Sequence, residues 1–72
     1  MKIGDIVRFK DESKNPATGV LMVASTPWRC GDKYLIKLAL LEVRQDSYTG
    51  ALIVTRFEKL RGAVVESKVE KV

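Results

Sequence analysis

The chain has no histidine, one cysteine, two prolines and five scattered glycines. Each shortage removes a class of chemistry. Without histidine, no Ser-His or Cys-His nucleophile pair can be built. Zinc and most transition-metal sites lose their commonest nitrogen ligand, and a single thiol does not replace it. The lone Cys30 also excludes an internal disulfide, which small secreted domains usually need. It follows Pro27-Trp28-Arg29. Arg29 would favour its thiolate, but no base stands near it in sequence, so an incidental surface cysteine is the simpler reading. The isolated glycines form no phosphate-cradling loop, and Asp11-Glu12 reads as a solvated pair rather than an acid/base couple. No apolar run, the stretch 38–41 included, approaches the ~20 residues of a membrane helix. Lys2 is not followed by an apolar segment, so no signal peptide is visible. These absences predict a non-catalytic cytoplasmic protein with no cofactor, no metal and no membrane contact.

What is present fits one small domain spanning residues 1–72. An apolar fraction of 46% argues against disorder. A domain this short buries only about 60% of its unfolded surface, so its margin of stability is thin. Thirteen Lys and Arg against nine Asp and Glu give +4, a mild bias toward acidic partners. The charges are spread along the chain, with only Arg56, Lys59 and Arg61 grouped locally around Glu58.

The pattern along the chain is that of short strands. Residues 5–10 alternate, with Val7 and Phe9 on one face and Arg8 and Lys10 on the other. The polar run 11–18, with Asn15-Pro16 inside it, reads as a surface loop. Residues 19–24 are apolar on both faces, which suits a central strand. A second loop is expected over 25–32. Residues 33–44 support two readings. As a strand, Tyr34, Ile36, Leu38 and Leu40 share one face until the phase slips to Leu41 and Val43, a slip that a bulge would absorb. As a helix, the run is rich in good helix formers and Asp32 would cap it, but its apolar residues surround the axis. A turn follows at 45–50, then a β-favouring run at 51–55. Phe57 and Leu60, three apart before Gly62, suggest one helical turn within 56–62. A last strand at 63–69 fades into a charged tail. The expected core is Ile3, Val7, Phe9, Val20, Met22, Tyr34, Ile36, Leu38, Leu52, Val54, Phe57, Leu60 and Val65.

The opening Gly4-Asp5, with Val7, Arg8 and Lys10 behind it, and the order of loops and strands that follows resemble SH3-like small β-barrels of the KOW and Tudor kind. The resemblance implies an all-β barrel of about five short strands, with one short helical turn before the last. KOW-type barrels commonly bind RNA or ribonucleoprotein surfaces. The same opening is similar to that of the plasmid type B dihydrofolate reductases, whose ligands contact a Val-Gln-Ile-Tyr strand at the pore of a tetramer. Residues 51–54 here are Ala-Leu-Ile-Val, with neither Gln nor Tyr, so that activity is not carried over. Nor are the paired aromatics of a methyl-lysine cage evident.

The expected function is therefore a small binding module for nucleic acid or nucleoprotein. Arg8, Lys10, Lys33 and Lys37 would form a basic stripe for phosphates if their strands adjoin, or else solvate and protect strand faces. Arg56, Lys59 and Arg61 would add a second group around the helical turn. Trp28, beside Arg29, would stack on a base together with Tyr48, or else fold over an open barrel end. The alternative is a protein-interaction module, either a homo-oligomer or a phage or plasmid accessory protein acting on a host protein. In that reading Trp28 with Leu35 or Leu41 forms an apolar patch.

Overall fold

The computed structural model describes residues Met1–Val72 and is all-β. Eight strands form two antiparallel sheets. In chain order they are β1 (Ile6–Phe9), β2 (Val20–Val23), β3 (Trp28–Cys30), β4 (Lys33–Ile36), β5 (Leu38–Gln45), β6 (Leu52–Lys59), β7 (Val64–Val65) and β8 (Val69–Lys71). Two short 3-10 turns occur, at Glu12–Lys14 and Glu66–Lys68. The larger sheet runs β6-β5-β2-β1-β8 and the smaller β3-β4-β7. The sheets remain separate and no closed barrel forms.

The long apolar run 33–44 is strand rather than helix, but it is two strands and not one. The chain changes sheets at Lys37, between Ile36 in β4 and Leu38 in β5. Lys37 is pinned at this crossing. Its carbonyl accepts from the Ala24 amide at 2.8 Å and its amide donates to Ser25 Oγ at 2.8 Å. Ile36 and Leu38 flank the crossing and are almost fully buried. They join Val7, Leu21, Val23 and Val69 in the core, with Met1, Phe9, Leu40, Leu60 and Val64 packed around it. This core joins Ile36 of the smaller sheet to residues of the larger one.

Several expectations need correction. In β2 the buried pair is Leu21 and Val23, not Val20 and Met22. With apolar residues on both faces, the pattern of that strand does not say which face turns inward. Ile3, Tyr34, Leu52, Val54 and Phe57 are exposed rather than core. The loop expected over 25–32 contains β3, which turns into β4 through Gly31-Asp32. Gly31 sits at φ +66° and no other residue type has positive φ. That suits a two-residue hairpin turn whose first central residue is left-handed. No helical turn forms at 56–62. Residues up to Lys59 belong to β6, and the 3-10 turn comes later, at Glu66–Lys68, directly before β8.

Strands β5 and β6 extend beyond the rest of the larger sheet as a two-stranded ribbon. They pair from Ala39↔Lys59 to Gln45↔Leu52, whereas β2 reaches only from Leu38 to Leu41 on β5. The ribbon explains the shape, 50 × 24 × 20 Å along its principal axes.

Candidate functional site

Register fixes which ribbon residues share a face, because directly opposed residues of an antiparallel pair point to the same side. Leu21, Leu40 and Glu58 lie in one row on the core side. The next row, Val20, Leu41 and Phe57, therefore lies on the outer side. Beyond it a bulge leaves Thr55 unpaired on β6, and its hydroxyl donates to the Glu42 carbonyl at 3.1 Å. The bulge shifts the phase of β6 by one residue. Val43 and Val54 become opposed on the outer side, followed by Gln45 and Leu52.

The two faces differ in chemistry. The outer one carries Val20, Leu41, Val43, Leu52, Val54 and Phe57 as a continuous apolar stripe. The inner face of the ribbon carries Glu42, Arg44, Ile53, Arg56 and Glu58. Arg56 is held there by Glu58 at 2.6 Å and Glu42 at 3.7 Å. Every residue of β6 is exposed, including Phe57 at 51%, Val54 at 55% and Leu52 at 72%. Its outer edge has no strand partner, since β6 ends the sheet. Arg56, Glu58 and Lys59 put charge on this edge strand, as is usual, but its first three residues, Leu52 to Val54, are apolar and uncovered.

The structure scatters the cations expected to act together. Arg8 lies on β1 and Lys10 directly after it in the larger sheet, while Lys33 lies on β4 in the smaller one and Lys37 at the crossing, so no stripe joins them. Arg8 is paired with Glu70 at 2.9 Å. Arg29 donates from Nε to the Gly31 carbonyl at 3.0 Å and braces the β3–β4 turn. Arg56 and Lys59 fall on opposite faces, opposed to Glu42 and Ala39 respectively, and Arg61 lies in the bend after β6. Trp28 and Tyr48 do not meet. Trp28 lies on β3, directly opposed to Leu35, whereas Tyr48 sits in the turn at the ribbon's tip and is 96% exposed.

Trp28 and Leu35, together with Val65 opposed to Leu35, form a short apolar row on the smaller sheet. Leu41, the alternative neighbour of Trp28, belongs to the other sheet. A cationic group not anticipated from sequence lies at another place. Lys10, Lys14 and Lys68 line one open groove with Phe9, Asp11 and Ser67. Its members come from two segments, residues 9–14 and 67–68, that are far apart in sequence, so no local spacing signals it. The sequence pattern places four residues of the ribbon stripe, Val20, Leu52, Val54 and Phe57, in a core and Leu41 beside Trp28, so the stripe is not read as one surface. The one signal available was the second apolar parity of β5, at Leu41 and Val43.

Two carboxylates are perturbed, both by local hydrogen bonding. The Lys2 amide holds the Asp5 carboxyl below its usual range, helped by the Lys71 ammonium at 3.7 Å. The hydroxyl and amide of Ser13 do the same for Asp11. Both belong to turns, and Asp11 also lines the lysine groove. Set against known proteins, the chain matches no protein-family model, no curated protein and no solved structure.

Proposed function

We propose that this chain is a non-catalytic protein-interaction module that docks through the outer face of the β5–β6 ribbon. One observation carries the reading: six apolar side chains from β2, β5 and β6 form a single outward stripe on a projecting element. Large contiguous apolar patches on soluble domains mark interaction surfaces, and aromatics are enriched among the residues that anchor them. Phe57 is the aromatic of this stripe, in the row nearest the body. The fold reading that accompanies this function is an opened SH3-like arrangement. In its support, the last strand β8 lies beside β1, the 3-10 turn at Glu66–Lys68 directly precedes it, and the β3–β4 hairpin reads as an insertion.

The test is a photo-activated cross-linker placed at position 57 in cells, with position 12 in the polar 3-10 turn as control. Adducts with protein from position 57 and none from position 12 are expected. An absence of adducts at 57, or equal adducts at both positions, contradicts the reading.

A second reading, contact with nucleic acid, is favoured by one separate observation, the groove lined by Lys10, Lys14 and Lys68. Phosphate contacts by three lysines would make affinity fall steeply with salt. Single alanine substitutions would weaken binding about equally across sequences. Gel shifts that show no salt-sensitive binding to DNA or RNA would exclude it.

A further inference from the structure

The molecule exposes more surface than its mass requires. A compact monomer of 8.1 kDa is expected to expose about 4,500 Å². This chain exposes 5396 Å². The excess of about 900 Å² is close to the roughly 800 Å² that each partner buries in an ordinary stable interface. The radius of gyration agrees: 13.4 Å, against about 11 Å for a compact chain of this length. Along the projecting ribbon no residue from Leu40 to Lys59 is buried.

Charge points to what covers it. Residues 38–59 contain Glu42, Asp46 and Glu58 and also Arg44, Arg56 and Lys59, so their formal charges cancel. The whole +4 therefore lies on the rest of the chain. A partner chosen by electrostatics would be acidic and would meet that cationic body. The ribbon instead offers a neutral, apolar surface that a like-charged body can approach without repulsion. Its outer face carries one charge, Lys59, at the end nearest the body.

We infer that the occupant of the ribbon's outer face is a second copy of this chain, packed face to face about a two-fold axis. This inference rests on the docking function proposed above. An isologous interface needs one self-compatible patch, and the row Val20, Leu41 and Phe57 with Val43 and Val54 supplies it. Two such faces stack as sheets do, about 10 Å apart, with their side chains interleaved. The charged inner faces stay in water. The two cationic bodies repel weakly, so added salt strengthens the association by screening them.

Sedimentation equilibrium of the purified chain over a concentration series is the test, with Phe57→Arg, Val54→Arg and Tyr48→Arg for comparison and circular dichroism to confirm folding. The wild type is expected to approach twice the monomer mass, with no loss on raising salt. Phe57→Arg and Val54→Arg are expected to raise the dissociation constant by about tenfold or more. Tyr48→Arg, at the tip and outside the stripe, leaves it unchanged. A dimer that survives both stripe substitutions, or one that salt dissolves, overturns the inference. A monomeric wild type whose position-57 cross-linker still captures a different protein overturns the second copy and leaves the docking face standing. A monomer with no adduct removes both.

Discussion

Asn15 stands in for a strand partner on the side of Phe9 that β2 does not reach, Phe9 being paired with Val69 of β8 on the other side. Its Oδ1 accepts from the Phe9 amide at 2.7 Å and its Nδ2 donates to the Phe9 carbonyl at 3.1 Å. Both backbone groups are partly buried, so removing the side chain leaves them unpaired. Asn15→Ala is expected to cost about 1–3 kcal/mol in urea unfolding, and a neutral result would show that water replaces the amide. Gly19 carries a different constraint. It sits at φ +87°, and an added Cβ would meet the Leu41 carbonyl oxygen at 2.5 Å. Gly62, at φ +76°, has open space around it. Gly62→Ala is therefore expected to cost the backbone term alone, about 1–2 kcal/mol. Gly19→Ala should cost clearly more, and equal midpoints for the two would contradict the close approach. Asp5 and Asp11 set the acid limit. A carboxyl whose folded pKa lies below its unfolded one stabilises the fold above the unfolded value, and that contribution is lost as pH falls through the folded value. Stability is thus expected to hold down to about pH 5 and to decline below the ordinary value of 3.8. Asp5→Asn should soften that decline, by a small amount because its partner Lys71 is solvent-exposed.

Among the elements, β1 was readable because its alternation is clean: Val7 faces the core and Arg8 the solvent. The crossing at Lys37 was not. Ile36 and Leu38 keep one parity through it, so the run reads as a single strand although the two residues belong to different sheets. β3 was hidden by Pro27 before it and Gly31-Asp32 after it, although a Gly-Asp pair between two short runs is itself a hairpin signal. Phe57 and Leu60, three apart, mimic helical spacing at the end of β6, but they do not share a face: Phe57 is exposed, while Leu60 packs against the core, its amide donating to the Leu38 carbonyl at 3.0 Å. As an element held along one edge only, β6 should open more readily than β2, which lies between β1 and β5. Hydrogen exchange on a dilute sample is expected to show β2 amides slowest and those of Leu52 to Val54 fastest. Uniform protection across the sheet would contradict this.

At the scale of the molecule, the sequence announced an all-β chain with a small core but not how small. Seven of 72 residues are buried, because six of the apolar strand residues lie on an outward face rather than in a barrel interior. The composition cannot distinguish those two uses, since both need alternating, β-favouring residues. Charge is equally ambiguous in sequence. The net +4 suggested a basic face, but pairing of Arg8 and Arg56 with carboxylates and the division of the rest between two sheets leave only the Lys10, Lys14 and Lys68 groove as a cationic group. The claim on which the account turns is that the outer ribbon face is where copies of the chain meet. It is tested most directly by side-chain NMR shifts followed as protein concentration rises. The account predicts movement at Val20, Leu41, Val43, Val54 and Phe57, with the Trp28 indole and Tyr48 ring still. Shifts confined to Trp28 and Leu35, or none at any concentration, would contradict it.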